Sequence, residues 1–112
     1  MAIRIVITTQ IEGTHCWPEA RELLPEVDFL ADKHRHIFQI KAKKTVDHED
    51  RDVEIILFKR SINQYLEKVY GNPADFGRKS CEEIAKELVK KFGCQSVEVL
   101  EDGENGAEIT RD

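Results

Sequence analysis

Three of the four histidines in this 112-residue chain fall at a spacing that suits a metal ion. They are His15 and the pair His34 and His36, in the run Lys33-His34-Arg35-His36-Ile37-Phe38. In a strand, residues two apart point to the same side. His34 and His36 would therefore present two imidazoles together, with Arg35 on the other side. His15 follows the apolar run Ile3 to Thr14 and would reach the pair from a neighbouring strand. Three neutral nitrogen donors and one open position make the geometry of a catalytic zinc, not of a closed structural one. The bland alternative is a set of exposed strand histidines with no ligand.

The elements that would carry these residues follow from periodicity. Residues 2 to 12 are rich in β-branched types and read as a strand. Residues 16 to 33 read as irregular, because Pro18 and Pro25 break helix and leave room for one turn from Glu19 to Leu24. His34 to Val46 alternates as a second strand, with His36, Phe38, Ile40 and Ala42 on one face. Val53 to Val69 has helical period through Ile55, Phe58, Ile62, Leu66 and Val69, and Gly71-Asn72-Pro73 ends it. Ser80-Cys81-Glu82-Glu83 has the form of a capping box, and Cys81, Ile84, Ala85, Leu88 and Phe92 form the stripe of a second helix that Gly93 stops. Gln95 to Leu100 and Ala107 to Thr110 read as strands about the turn-rich segment Glu101 to Gly106. The expectation is one α+β domain over residues 1–112, in the order ββααββ. Four antiparallel strands would carry two helices on one face. Such a sheet has two open edges, which are commonly closed by another subunit.

Composition narrows the function classes. A net charge of -5 disfavours a broad nucleic-acid footprint, and the basic cluster Lys41, Lys43 and Lys44 reads as a solvated strand face. No run approaches the roughly 20 apolar residues of a membrane span. The start Met1-Ala2-Ile3-Arg4 lacks a signal-peptide pattern. Cys16, Cys81 and Cys94 are odd in number with no Cys-x-x-Cys, which suggests reduced thiols in a cytoplasmic protein, Cys81 and Cys94 as small core residues.

With its histidines in these elements, the chain resembles the 6-pyruvoyl-tetrahydropterin synthase and 6-carboxy-tetrahydropterin synthase family, whose fold is the T-fold. The resemblance spans nearly the whole chain. One family zinc histidine closes the first strand and two form a His-x-His opening the second, which matches His15, His34 and His36. Arg51-Asp52-Val53-Glu54-Ile55-Ile56-Leu57-Phe58-Lys59 looks like the segment leading into the family's first helix. Ser80-Cys81-Glu82-Glu83-Ile84-Ala85 looks like its Thr-x-Glu-Asn-hydrophobic-Ala, and Val97-Glu98-Val99-Leu100-Glu101 like the strand that ends in the pterin-anchoring glutamate.

The resemblance implies zinc on the histidine triad and Glu101 as ring anchor, a carboxylate accepting two parallel N–H bonds from a 2-amino-4-oxo heterocycle. It implies further ligand contacts from Ser80 and Glu82, reaching from an adjacent subunit of a trimer-based homo-oligomer, most simply a hexamer. Taken alone, Glu101 reads as an exposed loop acid, and Ser80 as a plain helix cap.

The chain also departs from the pattern. The family's catalytic cysteine precedes its His-x-His, but Val27-Asp28-Phe29-Leu30-Ala31-Asp32-Lys33 contains none. Cys16 follows His15 directly and would point to the opposite face of a strand. The family's Asp-His pair is missing from Tyr70-Gly71-Asn72-Pro73-Ala74-Asp75-Phe76-Gly77. His48 lies in the wrong segment and reads as a surface residue. Asp28, Asp32 and Asp75 remain as acid–base candidates, none of them compelling. Two functional expectations follow. One is a divergent zinc lyase acting on a reduced pterin or a dihydroneopterin triphosphate-like substrate. The other is a non-catalytic T-fold oligomer that binds or sequesters a purine- or pterin-like ligand, including a nucleotide. A structural oligomer with incidental histidines is the third reading.

Overall fold

The computed structural model describes all residues, 1–112. Strand β1 (Ile3–His15) and strand β2 (His34–Val46) form a long antiparallel pair in which Ile3 faces Val46 and His15 faces His34. Between them lie a short helix α1 (Ala20–Leu23) and a 3-10 segment (Pro25–Ala31), so residues 16 to 33 carry more helix than the single turn expected. Helix α2 spans Ile55–Tyr70, strand β3 Ala74–Asp75 and helix α3 Cys81–Phe92. Strands β4 (Ser96–Glu101) and β5 (Asn105–Thr110) close the chain as a hairpin.

The sheet corrects the four-stranded antiparallel expectation. It has five strands in the order β3-β1-β2-β4-β5, and β3 runs parallel to β1. Two residues are too few to show a period. What makes β3 a strand is tertiary: Gly13 and Thr14 pair with Ala74 and Asp75, and Phe76 N–H donates to Thr14 O at 2.9 Å. Gly13 permits the approach, since a Cβ there would come within 2.9 Å of the Phe76 ring.

One sheet face is buried, and α2 and α3 both pack on it, as expected. Phe38, Ile40, Ala42, Val97 and Val99 are essentially solvent-free and meet Phe58, Ile62 and Leu66 of α2 and Ile84, Ala85 and Leu88 of α3 in one apolar cluster. On the other face Arg4, Val6, Thr8 and Gln10 are exposed. Thr9 Oγ1 donates to Asn63 Oδ1 at 2.7 Å and ties β1 to α2.

Helix α2 starts two residues later than its apolar pattern suggests, because Glu54 is its cap: its carboxylate accepts from Ile56 N–H and Leu57 N–H. The ends of the expected stripe are not buried, since Ile55 is 51% and Val69 50% exposed. The Ser80 capping box forms as read, and Gly93 ends α3 at φ +64°, the left-handed conformation glycine tolerates. No helix is long and apolar enough to cross a membrane.

Candidate metal centre

Strand register brings the histidines together. Residues opposite one another in a ladder share a face, as do residues two apart in one strand. His15 stands opposite His34, Gly13 opposite His36, and Phe38 opposite Glu101. All therefore lie on the helix-bearing face. The histidine rings sit edge to face with centroids 4.6 to 5.4 Å apart. Phe38 packs beneath His15 and His36, and Phe76 packs against Phe38 at 4.9 Å.

The tautomers follow from the partners. His15 Nδ1 donates to Lys79 O at 2.9 Å and His34 Nδ1 to Asp32 O at 2.8 Å. His36 Nδ1 donates to Asp102 Oδ2 at 2.7 Å. Carbonyl and carboxylate oxygens only accept, so each Nδ1 carries the proton and each neutral ring keeps its lone pair on Nε2. One donor atom from each histidine and one Glu101 oxygen all lie within 4.8 Å of one another. Glu101 Oε2 is 2.8 Å from His15 Nε2, but without the alignment of a hydrogen bond, and Oε1 is 3.6 Å from His36 Nε2. Nε2 of His15 and Nε2 of His36 are thus buried polar atoms with no hydrogen-bond partner.

Leaving such atoms unpaired costs about 1–3 kcal/mol each. A metal ion would satisfy them. Zinc–nitrogen bonds of about 2.0–2.1 Å set tetrahedral donors about 3.4 Å apart; here Glu101 lies 2.8 Å from His15 Nε2 and 3.6 Å from His36 Nε2, and all four donors fall within 4.8 Å of one another. Held Nδ1 atoms are also what metal-bound histidines require. The group fits a metal ion.

Asp102 was not legible as a site residue. It occupies the hairpin tip, where Asp102 and Gly103 both take positive φ (56° and 72°) and Glu104 N–H donates to Glu101 O at 3.0 Å. The Asp-Gly dipeptide signals such a turn. Its second use, holding His36, depends on pairing with β2. Asp102 Oδ1 also accepts from Ile37 N–H at 2.9 Å. That backbone bond, then the one from His36, holds the Asp102 carboxyl below the usual carboxylate range.

Three of the four donors border a cavity of about 500 Å³. His15, His34 and Glu101 line it, and so do Ser80 and Glu82 at the start of α3, all from a single chain. Cys16 lines it too, on the same side as His15, because the strand ends at His15 and alternation stops there. Trp17, Arg78, Asn105 and Gly106 are also among its lining residues. Cys81 is buried as expected of a core thiol, yet its Sγ reaches Glu101 Oε2 at 3.7 Å. Burial, and then the Glu101 charge, push this thiol up to about 12, so it is protonated at neutral pH.

The aspartates lie elsewhere. Asp28 is exposed on the 3-10 segment, and Asp32 is paired with Arg21 at 2.8 Å. Asp75 accepts from Gly77 N–H at 3.0 Å and Lys33 Nζ at 3.3 Å, contacts that hold its carboxyl low. None of the three lines the cavity. His48 is on the surface beside Asp52.

The chain matches no protein-family model, and no curated protein matches it.

Proposed function

We propose that this chain is a zinc-binding T-fold protein, a divergent relative of the 6-pyruvoyl- and 6-carboxy-tetrahydropterin synthases, that takes a reduced pterin or a closely related heterocycle beside its metal. The observation that carries the reading is the convergence of one nitrogen from each of three histidines with one carboxylate, beside a cavity large enough for such a ring. His15, His34 and His36 would hold the ion. Zinc in that position supplies a Lewis acid that polarises a ligand oxygen and eases proton loss from the carbon attached to it.

The chain's own residues orient the ligand. Glu101 accepts paired N–H groups of a 2-amino-4-oxo ring, and Ser80 and Glu82 offer polar contacts at the mouth. Two sheet edges support assembly of several copies. Strand β3 pairs only with Gly13 and Thr14 of β1, and β5 ends the sheet on the other side.

A second reading, a binder that sequesters a pterin- or purine-like ligand without turnover, is favoured by the acid–base groups. Asp28 and Asp75 lie outside the cavity, and the Cys81 thiol holds its proton. General base catalysis needs a group of suitable pKa within reach of the proton.

The test is metal content of protein purified without added metal, for wild type and His34→Ala. About one zinc per chain, lost in the variant, is expected. Turnover of a dihydroneopterin triphosphate-like substrate then separates lyase from binder. Absence of metal in wild type would remove the zinc-lyase reading and leave a binding or structural role.

A further inference from the structure

The four donors are not held alike. His15, His34 and His36 are each fixed from behind by a hydrogen bond of 2.7 to 2.9 Å at Nδ1. Glu101 has no such support. The one hydrogen bond to its carboxylate comes from the Cys81 thiol at 3.7 Å, a weak donor. Its side chain also faces the cavity, whose lining includes Glu101 and not His36. Donors clamped by outer partners stay in place, and an unclamped one is the first to leave.

We propose that Glu101 is a displaceable fourth ligand. It closes the metal in the ligand-free protein and yields its place to an oxygen donor of the incoming ligand. In the exchange the carboxylate oxygen–metal bond breaks and a ligand oxygen–metal bond forms. The carboxylate leaves as the anion into the cavity, where N–H donors of the same ligand meet it. The ligand class is therefore a small heterocycle bearing a hydroxyl, carbonyl or carboxylate oxygen at one end and N–H donors within reach of the freed carboxylate. This rests on the metal reading above, and it gives Glu101 two successive roles where a ring anchor has one.

The test uses the cobalt(II)-loaded protein, with azide as the probe for an open coordination position. In wild type, water-proton relaxation should show no exchangeable water on the metal, because Glu101 fills the fourth position. In Glu101→Ala an exchangeable water should appear, azide should bind at least tenfold tighter than to wild type, and cobalt should bind at least tenfold more weakly. An exchangeable water in wild type, or azide and cobalt affinities unchanged within twofold in the variant, would overturn the proposal while leaving the triad intact. Wild type that takes up no cobalt or zinc would overturn the metal reading and this proposal together. Should Glu101→Ala not fold, the wild-type water measurement decides alone.

Discussion

Two polar clusters sit side by side in this protein and differ in one respect. Around Glu87 of α3, every hydrogen bond is made: Tyr65 Oη donates to Oε2 at 2.7 Å, and Tyr70 Oη and Lys79 Nζ both donate to Oε1 at 2.5 Å. In the histidine cluster two buried nitrogens have no partner. Lys79 belongs to both, giving its ammonium to Glu87 and its main-chain carbonyl to His15. A fully satisfied network can be purely structural, here bracing α2 against α3. In an incomplete one, the unpaired nitrogens are free to take a bound ion or water.

The sharpest break in this contrast is removal of a ligand. His36→Ala should lose bound zinc altogether while keeping the fold, as read by metal content and circular dichroism. Stoichiometric zinc in the variant would sink the triad assignment. Next, Glu87→Ala should leave zinc stoichiometry unchanged but lower stability by about 2 kcal/mol in urea titrations, because Lys79, Tyr65 and Tyr70 lose their acceptor. Zinc loss without a stability change would reverse the roles assigned to the clusters.

Asp102→Asn probes the outer support of His36. Asparagine tolerates the positive φ, but its single carbonyl oxygen must serve both His36 Nδ1–H and Ile37 N–H. Zinc affinity should fall about tenfold, measured by chelator competition. An unchanged affinity would show that the His36 orientation is fixed by the strand alone.

The smallest effect is on pH dependence in the metal-free protein. Burial pushes the Glu87 carboxyl up, but the hydrogen bonds from Lys79, Tyr70 and Tyr65 outweigh it and hold it below its ordinary value of 4.5. A lowered carboxylate contributes stability above its unfolded pKa and loses it as pH falls through the folded value. Its hydrogen bond to Glu87, followed by burial, pushes the Tyr65 phenol from 10.0 to about 12, and Lys79 is raised chiefly by the same carboxylate. Those contributions are complete below about pH 10 and are lost as pH rises toward 12 and beyond. Urea stability against pH should therefore fall at both ends, and Glu87→Gln should flatten both limbs. Identical profiles would place the pH dependence elsewhere.

Much of this was readable from local pattern. The alternation of β2 placed His34 and His36 on one side, the helical stripes found the buried faces of α2 and α3, and Ser80 and Gly93 marked the ends of α3. Each of these depends on neighbours within a turn or a few strand residues, where period and capping chemistry act directly. Glu101 read locally as an exposed loop acid and was singled out only by the resemblance, as a ring anchor, with nothing to place it against His15.

The rest was decided by contacts between distant segments. The register that sets Phe38 opposite Glu101 and His15 opposite His34 joins residues far apart in the chain. Periodicity determines which side a residue faces but not which partner it meets. The same long-range docking made β3 a strand through Gly13 and Phe76, turned Cys16 toward the cavity, left Asp28 and Asp75 outside it, and gave Asp102 to His36. The sequence alone determined the donors' chemistry and their local facing. Only the folded sheet decided that four of them converge, because convergence is a property of pairing and not of period.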